Sequence, residues 1–413
     1  TEVLLELISL VGLKKTLERL EGMFAFALWD KKNNSFHLVR DRFGEKPLFY
    51  FLDNDYFVFS SELKSIKKFF QKSYLQINGL SCNLFSCLGY IPAPLTIYKK
   101  TFKVLPSEIL TIRNGNVILK EKYWDAKKVK ESSVFLGHQK IDSLLENSVK
   151  KMMIADVEVG CFLSGGIDSS LVASLMQKNS IDKIKTFTIG FEDKSYDESL
   201  YAKKIANHIG SEHNELILNQ KDALNIIPTL SKIYDEPFAD SSQIPTILLS
   251  KFAKEQITVA LTGDGGDELF GGYNRYVFLP EFWKKISFFP YPIRKVLAQS
   301  IGMFPIDFIN KFRFLFNFVS RSNINFFGDK VSKFSHKMQT VKNLDELFLS
   351  SLSTYQEPSK LLINSNDESN QIFEFKKNLN YKDYESLMMF IDSQTYLSDD
   401  ILCKVDRASM SRS

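Results

Sequence analysis

Val157-Glu-Val-Gly-Cys-Phe-Leu163 runs straight into Ser164-Gly-Gly-Ile-Asp-Ser-Ser170, and the join between these two stretches decides the fold. The first stretch is apolar and of strand length; the second turns on two glycines and opens a helical pattern from Leu171 to Met176. The same rhythm continues with strand patterns at Ile184 to Ile189, Glu215 to Leu218 and Ile257 to Leu261. Helical patterns separate them, from Tyr201 to Ile209 and around Ala223 to Ile233, with another before the first strand (Ile141, Leu144, Leu145, Val149). Strands alternating with helices predict a parallel, doubly wound sheet covered on both faces, with ligands at the carboxyl ends of the strands.

Two glycine turns fall at those ends. In the first, Gly165 and Gly166 let the backbone approach a ligand closely, and the N–H groups of the helix start join the hydroxyls of Ser164, Ser169 and Ser170 in an anion cradle. Asp168 in such a cradle would repel phosphate unless a cation lay between, which suggests Mg²⁺. No Gly-Lys-Ser/Thr ending is present, so this is not a Walker loop. An ordinary capped strand–helix turn is the plainer alternative. The second turn, Leu261-Thr-Gly-Asp-Gly-Gly-Asp-Glu-Leu-Phe-Gly-Gly-Tyr273, holds far more glycine than a connection needs and lacks calcium-loop spacing. Together they predict one shared site in which Asp168 and Asp267 hold a metal against a polyphosphate.

Upstream the rhythm differs. Met23 to Trp29, Phe36 to Val39 and Tyr56 to Phe59 read as short strands, with the polar connection Arg40-Asp-Arg-Phe-Gly-Glu-Lys-Pro47 between two of them. This predicts a layered antiparallel β unit flanked by helices. Asn114-Gly115 predicts a hairpin turn, and the Lys-rich segment that follows marks the junction. The expected division is residues 1–112, a linker at 113–137, and residues 138–413.

With 413 residues and 44% hydrophobic residues, two packed domains are expected. A net charge of +4 gives no reason to expect a nucleic-acid or membrane partner. Cys82, Cys87, Cys161 and Cys403 form no CxxC pair, so neither a disulfide framework nor a zinc site is expected, and a cytoplasmic location is. His37, His138, His208, His213 and His336 belong to no motif. The stretch from Phe278 to Phe334 reads as helical packing or as a protein contact. The chain lacks an initiating Met and opens inside the apolar helical pattern Val3, Leu4, Leu7, Leu10, so a fragment is expected.

Ser164-Gly-Gly-Ile-Asp-Ser169 resembles the pyrophosphate loop of the ATP pyrophosphatases, and Thr262 to Tyr273 resembles the glutamine-hydrolysing asparagine synthetase family. Glu21 to Asp30, Arg40 to Leu48 and Tyr396 to Met410 agree with that family, in its order. The resemblance implies a partial N-terminal-nucleophile αββα glutaminase domain, followed by an α/β, doubly wound ATP pyrophosphatase domain cut short at its C-terminus. It implies ATP and Mg²⁺, glutamine-derived ammonia carried through a tunnel, and aspartate or a similar carboxylate activated as an acyl-adenylate. A homodimer is the expected assembly.

By matching motif, Ser164, Gly165, Gly166, Asp168 and Ser169 would hold pyrophosphate and metal, with Asp267 as second metal ligand. Leu163, Ile189, Thr262 and Gly263 would line the adenosine pocket. Asp264 and Tyr273 match a carboxylate–tyrosine pair acting on the acyl-adenylate; some members carry Glu at the first position. In Asp235-Glu-Pro-Phe-Ala-Asp-Ser-Ser-Gln-Ile-Pro245, Asp240 and Ser241 read equally as carboxylate-substrate contacts or helix caps. Lys404, Asp406 and Arg407 match the family and also suit a salt-bridged helix end. The family's N-terminal Cys nucleophile and a C-terminal lysine near the acyl-adenylate are not in this sequence; Thr1 matches an internal position. Acceptors other than aspartate fit the same motifs, including a sugar carboxylate or a β-lactam precursor, as does a non-catalytic ATP-binding relative.

Overall fold

The computed structural model describes residues 1–70, 74–128, 137–193, 197–311, 327–355 and 383–412. In the first part, β1 (Ala25–Asp30), β2 (Ser35–Arg40), β6 (Glu108–Arg113) and β7 (Asn116–Lys122) form an antiparallel sheet in the order β1-β2-β6-β7. A second antiparallel sheet has the order β4-β3-β5, from β3 (Phe49–Leu52), β4 (Phe57–Ser60) and β5 (Thr101–Lys103).

Alternation along the strands builds the layers, because neighbouring side chains point to opposite faces. Leu38, Tyr50 and Leu110 turn into a core shared by both sheets. Their neighbours Val39 and Ile109 pack with Leu17 of the helix Leu13–Arg19, while Phe51 packs with Ile66 of the helix Leu63–Phe69. The result is a helix–sheet–sheet–helix sandwich. Asn114 (φ 49°) and Gly115 (φ 73°) form the two-residue turn of the β6–β7 hairpin, both in the left-handed region that such a turn needs. Consequently part of the stretch expected as linker is the edge strand β7, while residues 129–136 lie outside the described residues.

The second part carries β8 (Val159–Phe162), β9 (Lys185–Phe191), β10 (Glu212–Leu218) and β11 (Val259–Leu261), all parallel, in the order β10-β9-β8-β11. One face buries Cys161 against Ala173, Met176, Ala202 and Ala206 of the helices Ile167–Lys178 and Ser199–Ile209. The other buries Phe187 against Ala253, and Leu218 packs with Ile247, both from the helix Gln243–Lys254. Winding runs from β8 out to β10 and then returns to the far side of β8, so the switch point lies between β8 and β11. The helical pattern around Ala223 to Ile233 is broken into Gln220–Ile226 and Leu230–Ile233 by a 3₁₀ turn at Pro228, which has no N–H to continue an α-helix.

Helices Asn274–Ile286, Leu344–Leu352 and Tyr384–Gln394 pack through Tyr276, Leu279, Phe348, Met388 and Ile391 onto Leu88 and Tyr90 of the first part. Phe282 thus packs as the Phe-rich reading expects, whereas Phe278, Phe288 and Phe304 are exposed; residues 312–326 lie outside the described residues. A π-helical turn, Leu397–Ile401, leads into the last helix, Leu402–Met410. Lys46 to Asp406 (2.8 Å), Arg407 to Glu62 (2.7 Å) and Lys103 to Glu236 (2.8 Å) tie the two parts together. Among the described residues, no helix is long and apolar enough to cross a membrane.

Candidate active site

Both glycine turns leave the sheet at its switch point, one after β8 and one after β11, where the crossovers depart to opposite faces and open a crevice. They touch. A Cβ on Gly263 would lie 2.6 Å from the Ser169 nitrogen, and one on Gly266 would lie 2.5 Å from the Asp168 carboxyl carbon. Only glycine permits this approach, so the motif glycines bring Asp168 and Asp267 to one place.

Within the first turn, Ser164 Oγ and Ser169 Oγ are 2.9 Å apart, and the Ser164 N–H donates to Ser169 Oγ at 3.2 Å. The Gly166 N–H donates to Ser164 Oγ (3.3 Å), and Ser170 Oγ donates to the Gly166 carbonyl (2.6 Å). No side chain caps the helix that starts here, so its first-turn N–H groups remain available to an anion. The Asp168 carboxyl is held above its usual range by burial and then by the Asp267 carboxylate. Two carboxylates this close suit a divalent cation between them. No group of three or more candidate metal ligands exists among the described residues, so other ligands would come from phosphate and solvent.

Leu163, Ile189 and Thr262 sit at or near the carboxyl ends of β8, β9 and β11. The Leu163 side chain is 1% exposed in the core, and its carbonyl accepts from Thr188 Oγ1, so this residue can meet a ligand only through its backbone.

Beside the loops lies a cavity of 560 Å³, lined among others by Asp240, Ser241, Gly263, Asp264, Asp267 and Tyr273. The partner of Tyr273 is Glu268 rather than Asp264: Tyr273 OH donates to Glu268 Oε1 at 2.8 Å, and Asp264 is exposed. Burial and the Glu268 carboxylate push the phenol well up, while burial raises Glu268 against the pull of that hydrogen bond. Arg275 covers the Tyr273 ring at 4.3 Å and is anchored to Asp392 at 2.7 Å. Asp240 lines the cavity, while the helix Gln243–Lys254 opens at Ser242 with no side-chain cap. The Asp240 Oδ1 accepts from the Ser242 N–H and hydroxyl, each at 2.6 Å, in the turn before that helix, and its Oδ2 faces Lys404 at 3.1 Å. Burial alone would raise Asp240, but Lys404 and Ser242 hold it below its usual range.

Glu268, Arg275, Tyr396 and Asp400 line the cavity without having been singled out as site residues. Glu268 lies inside the second glycine motif, and Asp399-Asp400 is an acidic pair in an apolar helical run, a signal that was legible. Asp406 and Arg407 tie the last helix to the first part, whereas Lys404 reaches the cavity. His37 and His213 hydrogen-bond Thr111 and Thr186 (3.0 Å each), away from the cavity. A second, much smaller space of 30 Å³ lies between the two parts, lined among others by Gly44, Glu45, Lys103, Glu236, Ser398 and Asp399.

The fold and site are those of a switch-point α/β domain with two glycine loops, joined to an αββα unit. Residues 140–413 match the asparagine synthase family and residues 1–124 match the glutamine amidotransferase domain; the chain belongs to the asparagine synthase family. It is similar to asparagine synthetase (glutamine-hydrolyzing) 1 of Bacillus subtilis strain 168, with 32% identity over 403 residues, covering 97% of this chain and 60% of that protein. The asparagine synthetase (glutamine-hydrolyzing) of Bos taurus is 30% identical over 300 residues, 66% of this chain and 49% of that protein. Asparagine synthetase (glutamine-hydrolyzing) 3 of the same Bacillus strain is 30% identical over 274 residues, 62% of this chain and 44% of that protein. The chain thus spans between 44% and 60% of the length of these relatives.

Proposed function

We propose that this chain is part of an ATP-dependent amide ligase. It would convert aspartate, glutamine (or ammonia) and ATP to asparagine, glutamate, AMP and pyrophosphate through an acyl-adenylate. The observation that carries the reading is the contact between the two glycine loops at the switch point, with the cavity opening beside them. A carboxylate oxygen attacks the α-phosphorus of ATP and the bond to pyrophosphate breaks. Ammonia then attacks the acyl carbon, the C–O bond to AMP breaks, and a proton leaves the new amide nitrogen.

Ser164, Gly165, Gly166, Asp168 and Ser169 fit the pyrophosphate, and Leu163, Ile189, Thr262 and Gly263 fit the adenosine. Asp168 and Asp267 fit Mg²⁺, whose chemistry is to screen polyphosphate charge. A well-aimed N–H donor at such a site is worth ~3 kcal/mol in the transition state. Asp264 and Tyr273, the latter with Glu268, stand where the acyl-adenylate would form, and Asp240 and Ser241 face the carboxylate substrate. The small space between the two parts suits the passage of ammonia. We assign residues 1–112, extended through β7 to Lys122, to the glutaminase part, and residues 138–413 to the ATP-using part.

Calorimetry with Mg·ATP tests the nucleotide site, and AMP release with aspartate and ammonium in the full-length protein tests the reaction. Asp168→Asn and Asp267→Asn should each weaken Mg·ATP binding by about tenfold or more, and abolish AMP release, without loss of the fold. Full turnover in either variant, or no ATP binding by folded wild-type chain, overturns the proposal.

A further inference from the structure

We infer that this chain carries a membrane-docking face: the corner between the helices Asn274–Ile286 and Tyr291–Gly302 rests on an acidic phospholipid surface, with Phe288 and Phe289 dipping into it. Among the described residues no helix is long and apolar enough to span a bilayer, so the contact is peripheral.

The helix Tyr291–Gly302 is apolar on two sides. Inward, Ala298 is fully buried, and its carbonyl accepts from Ser335 Oγ at 2.6 Å. Arg294, also buried, donates to the carbonyls of Val341 and Lys342 (3.4 Å each) and lies over the rings of Trp283 (5.0 Å) and Tyr291 (5.7 Å). These contacts fix the roll of the helix. With that side held, Ile293, Val296 and Leu297 stand in solvent, and Phe289 before the helix and Phe304 after it continue the same helical spacing. Val296 is 62% exposed, and Phe288, in the turn between the two helices, is 83% exposed. Single exposed apolar side chains are ordinary, but a stripe of them marks a contact surface.

Charge says what covers the stripe. From Phe282 to Ile306 the sequence holds Lys284, Lys285, Arg294 and Lys295 and no Asp or Glu. Arg294 is spent inside, whereas the three lysines are exposed. The net +4 of the whole chain conceals this local run, which is why composition alone gave no membrane signal. A second copy would set these cations against one another. Lys is also depleted at protein–protein interfaces, whereas Lys beside Phe, Leu and Val is the makeup of a helix lying in a lipid headgroup layer. The apolar side chains enter the acyl boundary, and the long lysines reach back to the phosphate groups. None of these residues lines the large cavity or lies in the glycine turns. Docking would therefore place the protein at a membrane without altering its site.

The test is flotation of the full-length protein with phosphatidylcholine vesicles, with and without phosphatidylglycerol, at low and high salt. Wild-type protein should float with the acidic vesicles, and binding should fall about tenfold or more without phosphatidylglycerol or at high salt. Phe288→Ser with Phe289→Ser should weaken it about tenfold or more, as should Lys284→Gln with Lys285→Gln and Lys295→Gln. Val296→Asp, which puts an anion into the stripe, should abolish it. Thermal melts establish that the variants fold. No binding of folded wild-type protein to acidic vesicles overturns the inference and assigns the stripe to a protein partner. Binding that survives Phe288→Ser with Phe289→Ser overturns it too, as adsorption by charge alone. A dimer seen by light scattering in wild type and lost in Val296→Asp overturns it in favour of a self-interface.

Discussion

Glu45 shows how a single residue inherits its chemistry from neighbours. Asp41 accepts the N–H groups of Phe43 (3.2 Å), Glu45 (2.9 Å) and Lys46 (2.9 Å), and Arg40 donates to the carbonyls of Gly44 and Lys46. The loop is thereby closed around its own charges, and burial, then Asp41, push the Glu45 carboxyl up to about 7. A folded pKa above the unfolded one means that ionisation favours the unfolded chain. The Glu45 contribution is therefore unharmed below about pH 4.5 and is eroded as pH rises to about 7. Its slope is at most about 1.4 kcal/mol per pH unit, and it is flat above that range. Glu45→Gln should gain stability over wild type across this window and hold the gain at pH 8. Denaturant unfolding at several pH values checks it; parallel profiles for the two proteins would refute the assignment.

At the scale of elements, two glycines separate backbone strain from crowding. Gly115 has φ 73° and open space where a Cβ would go, so Gly115→Ala should cost about 1 kcal/mol through left-handed strain alone. Mg·ATP affinity should be untouched. Gly263 is the reverse case, with no left-handed φ but with the Ser169 nitrogen 2.6 Å from its would-be Cβ. Gly263→Ala must push the two loops apart, and a shift of even ~1 Å at such a site is costly to function. It should weaken Mg·ATP binding by about tenfold or more while the fold survives. Unfolding curves and calorimetry on both variants check the contrast. Equal effects of the two substitutions on nucleotide binding would mean that loop contact does not build the site.

Across the whole molecule, the two parts meet through buried charge as well as apolar packing. Lys103 and Glu236 pair at 2.8 Å, and Glu236 also accepts the Ile97 N–H at 3.0 Å. Burial pushes Glu236 up against the pull of Lys103, while Lys103 itself is raised because Glu236 and Asp399 outweigh its burial. Breaking such a pair leaves a lone buried charge, so Lys103→Met or Glu236→Leu alone should destabilise by about 3–5 kcal/mol. The double variant should recover a good part of that loss, because two apolar groups leave no charge stranded. A double-mutant cycle on unfolding free energies measures it; additive losses would show that the two groups act independently.

The sequence by itself determined the alternating strands and helices of the second part, the strand-end glycine turns, and the hairpin at Asn114-Gly115. Each of these depends on local periodicity or on backbone freedom, which neighbouring residues carry. It also named most of the candidate site, since Asp168, Asp267 and Tyr273 lie inside those same turns. Tertiary structure alone decided which carboxylate meets Tyr273, and that Lys404 turns to the cavity while Asp406 and Arg407 bind the first part. It also decided that Asp400 ends up buried beside Asp240, 160 positions away in number but held in one cavity wall. Periodicity tells which face of an element is apolar, but the partner of a buried charge is chosen by whichever distant element packs against it.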